Sequence, residues 1–214
     1  MGEGLVARLK RNWAEANELN REKDRATVVE RSRHLLLEHR TQENHEFLGD
    51  AVRRFPADAE IRLLYASNLL AVRPKDAAAE AIKAVELDPD EPIRLIRTAS
   101  LLFNMKHVDS ARQYVARARG LAPSDFPFMA ELVNLEAHLA AIDGKEGAAE
   151  EGFRRSVKLD PDSETLAVDL ARFLSRHNRG AEALQVIEQG LESANQTENL
   201  LRLRNELAAR GPHA

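Results

Sequence analysis

The sequence predicts an all-α fold, a solenoid of stacked helical hairpins, and three observations carry that expectation. First, a phrase returns along the chain: Leu87-Asp88-Pro89-Asp90, then Leu121-Ala122-Pro123-Ser124, then Leu159-Asp160-Pro161-Asp162. The step from Pro89 to Pro123 is 34 residues and that from Pro123 to Pro161 is 38. A period in the thirties marks a stacked repeat. Second, small residues precede each proline at fixed distances. Twelve before stand Ala77, Ala111 and Ala149, and five before stand Ala84, Ala118 and Ser156. These positions are seven apart and share one helical face, where small side chains let two helices approach closely. Ala81, Val115 and Phe153 fill the gap between them. Third, no alternating β-branched run signals a strand.

The first unit is the weakest copy. It ends at Pro56 with Leu48 and Ala51 in place, but polar Asn44 stands where alanine is expected, so looser helix packing is expected there. The second, about Ala57 to Pro89, is 33 residues long, which leaves the register of its first helix open by one. In the third, helix A is expected over roughly Glu91–Met105, with Ile93, Leu95, Ile96, Ala99, Leu102 and Phe103 at helical spacing. Lys106-His107 forms a turn, and helix B follows over roughly Val108–Gly120.

The fourth unit, ending at Pro161, is four residues too long, about one helical turn. Its helix A is expected over Met129–Ile142, with the extra turn near residues 140–144. The fifth closes with Ala183, Ile187 and Gly190, and Asn195 replaces the proline. Each proline stops a helix B, and Asp90, Ser124 and Asp162 are expected as N-caps of the next helix.

Two flanks complete the expected organisation: residues 1–23, a repeat domain over 24–197, and 198–214. Residues 4–23 are expected to form an amphipathic helix with Leu5, Val6, Leu9, Trp13 and Ala16 on one face. Packing as a cap, self-association and contact with an anionic membrane surface are its three readings. Residues 198–210, with Leu200, Leu201, Leu203 and Leu207, are expected to cover the last unit's core.

The repeat resembles the tetratricopeptide repeat (TPR) family over residues 24–197, about five units. That motif wants a small residue at the eighth position of helix A, and Ser32, Ala99 and Ala171 stand there. Helix B then opens on alanine, with a bulky residue, a small residue and a proline at the spacings given above. The family's aromatic near the start of helix A is missing, and Leu95 is the nearest fit. The resemblance implies a right-handed superhelical solenoid whose A helices line a concave groove. It also implies a non-catalytic scaffold or adaptor that holds a protein segment, peptide or helix, in that groove.

Outward A-helix positions near two, five, nine, twelve and thirteen are implied to face the groove. They fall on Arg33, Ile93, Ile96, Ser100, Phe103, Asn104, Val168, Arg172 and Arg176. In the long unit they fall on Asn134 and His138, and in the 33-residue unit on Arg62 or Ser67 according to register. Arg97 sits at the edge of this stripe. A guanidinium fork suits a carboxylate, so an acidic segment or the C-terminus of a partner is the expected ligand. The lysine–asparagine–asparagine–lysine–arginine clamp of family members that bind chaperone C-termini has no match here.

Composition narrows the alternatives. The chain has 214 residues with a net charge of −4 and a pI near 6.0, so no basic excess draws it to nucleic acid. Aromatic residues make up 5%, which leaves the packing to small apolar side chains. The absence of cysteine excludes disulfides and thiolate metal sites. No apolar run reaches the length of a membrane span, and no signal-peptide pattern opens the sequence. The expected compartment is the cytoplasm, and the arginine- and alanine-rich composition has a bacterial flavour.

His34, Glu38, His39 and His45 lie close in sequence without metal-ligand spacing, and the Asp-Pro-Asp steps lack a calcium loop's further ligands. No glycine-rich phosphate loop or nucleophile elbow occurs. No catalytic, cofactor or metal site is therefore expected. Two other classes stay open: a homo-oligomer assembled through its terminal helices, and an accessory repeat region serving a separate enzyme.

Overall fold

The computed structural model describes residues 23–194 and 197–210. Apart from Lys23, the expected N-terminal segment and its Trp13 lie outside them. The described residues form only helices and turns. None of these helices is long and apolar enough to cross a membrane. The chain divides into two compact units, residues 1–106 and 107–214. The division falls in the Lys106–His107 turn of the third repeat.

The first unit holds α1 (residues 23–37), α2 (Thr41–Arg54), α3 (Ala59–Val72), α4 (Pro74–Leu87) and α5 (Pro92–Asn104). Helices α1, α3 and α5 are the A helices; α2 and α4 are the B helices. Successive helices from α2 to α5 pack on one another, and α5 also packs on α3. The small residues of the motif line these contacts: Ala77, Ala81 and Ala84 are fully buried with Ala66. Asp58 caps α3, accepting a 2.9 Å hydrogen bond from the Ile61 amide.

One residue, Arg73, joins α3 to α4, where the other A-to-B turns use three. Those longer turns each contain a residue with positive φ: His39, Lys106, Asn178 and Gly144, at 57, 67, 58 and 70°. Pro74 at the first position of α4 replaces that device, its fixed φ already helical. This accounts for the 33-residue repeat and settles its register. Ala66, not Tyr65, is the small buried residue of α3.

Asn44 occupies the alanine position of α2 and is fully buried. Neither atom of its amide finds a hydrogen-bond partner among the described residues, and the hydroxyl of buried Ser32 finds none either. A buried amide without partners costs more than the packing it supplies. Asn44→Ala is therefore expected to stabilise the protein by about 1 kcal/mol, read as a higher urea midpoint. A lower midpoint would contradict this.

The second unit holds α6 (Val108–Leu121), α7 (Met129–Ile142), α8 (Glu146–Leu159), α9 (Glu164–Arg176), α10 (Gly180–Ser193) and α11 (Glu198–Arg210). Here α7 and α9 are A helices, and α6, α8 and α10 are B helices. Its core gathers Phe153, Phe173, Leu174, Ile187, Leu200 and Leu203 with Ala149, Ala171 and Ala183. Helix α11 packs on α9 and α10. The Glu164 carboxylate of α9 fixes it, accepting from the Asn199 and Leu200 amides at 2.5 and 3.1 Å. A carboxylate there satisfies the free donors of the helix N-terminus and opposes its positive end.

Two expectations are corrected. The four extra residues of the long repeat do not lie near residues 140–144, where the α7–α8 turn is an ordinary three residues. They lie before α7. Residues 122–128 separate α6 from α7, whereas the other B-to-A connections within each unit use four residues. Pro123 and Pro127 keep this stretch from turning helical, and the Phe126 and Phe128 rings pack edge to face at 5.7 Å. The N-caps also shift. Glu91, Phe128 and Ser163 hold the cap positions expected of Asp90, Ser124 and Asp162, and none of the three side chains makes a cap bond. Pro92 explains the first shift, because it occupies the first helical position and so moves the cap onto Glu91.

On the B-helix side of this unit, Arg179 bridges Glu150 of α8 and Glu182 of α10, with N–O distances of 2.7 and 2.6 Å. Its hydrogen bonds hold both carboxyls below the ordinary glutamate value of 4.5. Depressed carboxylates contribute stability above their unfolded pKa and lose it as pH falls through the folded values. Arg179→Met is expected to lose less stability than the native protein between about pH 5 and about pH 3, read by thermal unfolding. Equal losses would mean that the bridge contributes nothing.

Candidate functional site

The A-helix face of the first unit carries a pocket of about 290 Å³. Helix α1 contributes Val29, Arg33 and Leu36, which share a stripe at four- and three-residue spacing. Helix α3 contributes Glu60, Leu64 and Ser67 on its own stripe, and α5 contributes Arg97. The floor is aliphatic, and Leu36 remains 47% exposed. Arg33 is exposed and has no ion-pair partner among the described residues. The Glu60 carboxylate is already held by Arg25 at 2.5 Å. Ser100 and Asn104 extend the outward face of α5 beyond Arg97.

Arg62 departs from its expected place. With Ala66 as the small residue of α3, the outward positions fall on Ser67, which lines the pocket, and not on Arg62. Arg62 turns toward α4, where it pairs with Glu80 at 2.6 Å and donates to the Pro56 carbonyl at 2.9 Å. Its side chain is 14% exposed. It is a strut between two helices.

In the second unit, Asn134 and His138 stand one turn apart on α7 and meet Asp169 of α9. Asn134 Nδ2 donates to Asp169 Oδ2 at 2.8 Å, and His138 Nε2 lies 2.9 Å from the same oxygen. The His138 ring sits edge-on to Phe153 at 4.8 Å. Ser156 donates to the Phe153 carbonyl at 2.8 Å. Asn134 and His138 are thus fastened to the neighbouring helix, which pins α7 to α9. Arg172 and Arg176 continue the Asp169 stripe of α9, and neither has an ion-pair partner among the described residues.

Sequence reasoning missed Asp169. Arg97 and Asp169 hold the same position, sixth from Pro92 and from Glu164 respectively. Arg97 stands at the edge of the outward stripe, so the same count gives Asp169.

A histidine beside a carboxylate can orient a general base, but such a base needs a nucleophile or substrate proton within reach. The nearby Ser156 hydroxyl is fully buried and already bonded. Among the described residues, no group of three or more His, Cys, Asp or Glu is arranged to hold a metal ion. His34 contacts Glu38 at 3.5 Å, while His45 stacks on Tyr65 at 5.4 Å. The first unit offers a pocket with an aliphatic floor, and each unit presents exposed guanidinium groups on its A helices.

No protein-family model matches the chain, and no curated protein sequence matches it. Solved structures do. A thermophilic TPR protein of Thermus thermophilus matches at a TM-score of 0.72 and 17% identity, over 86% of this chain and 98% of that one. A tetratricopeptide repeat protein of Parabacteroides merdae matches at 0.68 and 16%, over 86% and 71%. PilF of Pseudomonas aeruginosa matches at 0.66 and 20%, over 89% and 86%. At these identities the likeness concerns the fold. The chain has the all-α repeat fold of the tetratricopeptide solenoids.

Proposed function

We propose that this protein is a non-catalytic interaction scaffold that holds a peptide or helix of a partner protein against its A helices. Three exposed arginines on the A helices carry this reading. Arg62, Arg112, Arg119 and Arg179 are engaged by carboxylates within the fold. Arg33, Arg172 and Arg176, all on A-helix faces, have no such partner among the described residues. These three can meet a ligand carboxylate without first breaking an internal ion pair. Stacked helices also need little ordering on binding, which lowers the cost of association. The cytoplasm is the compartment this reading assumes.

Affinity capture from source-cell lysate tests it, comparing the native protein with an Arg33/Arg97/Arg172/Arg176→Ala variant. The variant is expected to melt like the native protein and to lose a partner that the native protein retains. Equal capture by both would move the binding surface off the A helices. Capture by neither, with concentration-dependent sedimentation, would replace the scaffold by self-assembly.

A further inference from the structure

Helix α1 leaves two leucines in water, Leu36 and Leu37 at its end, 47 and 66% exposed. We infer that the chain's own N-terminal segment, through Val6, Leu9 and Trp13, occupies the pocket on the first unit, so that a partner at this part of the A-helix face has to displace it. The displacement rests on the scaffold reading; the occupancy does not.

The outer face of α1 needs no cover. On α5, Thr98 faces the preceding B helix, its hydroxyl donating to the Ala81 carbonyl of α4 at 3.4 Å. On α9, Phe173 contacts Phe153 of the preceding helix α8. Thr98 stands one residue before the small residue Ala99, and Phe173 two after Ala171. Counted from Ser32, the same two positions of α1 are Arg31 and His34. Both are exposed, and a polar outer face is what ends a repeat array. The uncovered apolar surface lies on the other side, where Val29 and Leu36 line the pocket with Leu64 of α3.

Length and spacing name the occupant. Trp13 precedes Lys23 by ten residues, which span up to about 33 Å. Val29 lies six residues beyond Lys23, about 9 Å along the helix. The segment therefore reaches the pocket by turning back at residues 19–22, where Asn20 suits a turn. Val6, Leu9 and Trp13 step by three and four residues, and Val29, Arg33 and Leu36 by four and three. An antiparallel return sets Trp13 beside Val29 and Val6 beside Leu36. Arg11, Glu15 and Glu18 fall on the opposite side of such a helix and stay in water. The pocket volume of about 290 Å³ is about twice that of a cavity that binds benzene. Arg33, exposed and without an ion-pair partner among the described residues, is placed to stack on the indole. A short tether holds the segment at an effective concentration on the order of millimolar, against which a partner competes.

Trp13 is the only tryptophan, and the chain has no cysteine, so both probes are unique. In the full-length protein the tryptophan emission is expected at shorter wavelength than in a synthetic peptide of residues 1–22, and more resistant to acrylamide. Leu36→Glu should move it back toward the peptide value. Ala79→Glu, at an exposed position of α4, should leave it unchanged. A Val6→Cys/Leu36→Cys variant treated with a short bismaleimide is expected to close within one chain, seen as a faster-migrating monomer on a denaturing gel. Val6→Cys/Ala79→Cys should not close.

Emission equal to that of the peptide overturns the inference, as does shielded emission that ignores Leu36→Glu. A bridge that joins two chains also overturns it and places the segment on a second copy. Neither measurement contains a partner, so the scaffold reading survives these failures, and its own failure leaves the bridge intact.

Discussion

Phe153→Ala is expected to lower stability by about 3–5 kcal/mol, the usual range for deleting a buried phenyl ring. Phe153 is the bulky residue that the motif places between two small ones, Ala149 and Ser156. It is 2% exposed, at the centre of the second unit's core. Its ring contacts His138 at 4.8 Å and Phe173 at 5.2 Å, so truncation removes two aromatic contacts as well as apolar burial. The flanking small residues cannot refill the space, because they have no atoms to move into it. Denaturant unfolding monitored by circular dichroism measures the loss. Hydrogen exchange places it, with α7, α8 and α9 expected to lose protection first. A cost under about 1 kcal/mol would mean that the site collapses around the deletion and that this core is not tightly packed.

Gly152→Ala is expected to destabilise the protein by about 1–2 kcal/mol, the balance of two effects of opposite sign. Glycine within a helix is worse than alanine by about 1 kcal/mol, which favours the substitution. A β-carbon at this position, however, would lie 2.7 Å from Ala137 Cβ and 3.3 Å from its Cα. Neither atom belongs to a flexible side-chain end that can swing aside. The whole of α7 has to move away from α8, at a strain of typically about 1–3 kcal/mol. Such a shift also disturbs the Asn134 and His138 hydrogen bonds to Asp169. The strain wins, and a thermal midpoint below the native value is the expected result. A raised midpoint would show that propensity outweighs packing. Gly120, whose added β-carbon would meet nothing within 4 Å, is the control, and Gly120→Ala should stabilise.

The repeat was legible because its residues answer a steric demand at fixed spacing. Ala77, Ala111, Ala149 and Ala183 are all fully buried, as are Ala84 and Ala118, because two helices cannot approach closely over larger side chains. The helix boundaries of α7 were legible from its apolar spacing. Residues 122–128 were not. A four-residue insertion can lengthen a helix or loop out, and the deciding residue is Pro127, which reads as punctuation only once its place is known. The cap positions differ because Asp90 and Asp162 have the right chemistry one residue too early, and Pro92 dictates the start of α5 from the other side.

The exposure of the counted positions was legible in part. Counting outward positions found Arg33, Ser100, Asn104, Arg172 and Arg176 exposed on their helices, but it also counted Ile96 and Val168, which are buried. It could not distinguish Arg62 from Ser67, since a single-residue turn at Arg73 decides between them. It also could not show that Asn134 and His138 bond to Asp169, because the three meet only after α7 and α9 pack. Pairing across helices is a property of the packed state, and one helix's sequence does not contain it.

Binding at the A-helix face is the central claim, and site-specific photo-crosslinking tests it most directly. A photoreactive amino acid is placed at Ser100, exposed on α5, or at Ala79, exposed on α4 of the same unit. Each protein is irradiated in source-cell lysate, and the adducts are compared. A discrete adduct from position 100 that is absent from position 79, and abolished by Arg33/Arg97→Ala, is the expected result. The same adduct from position 79 alone would place the partner on the B helices and contradict the claim.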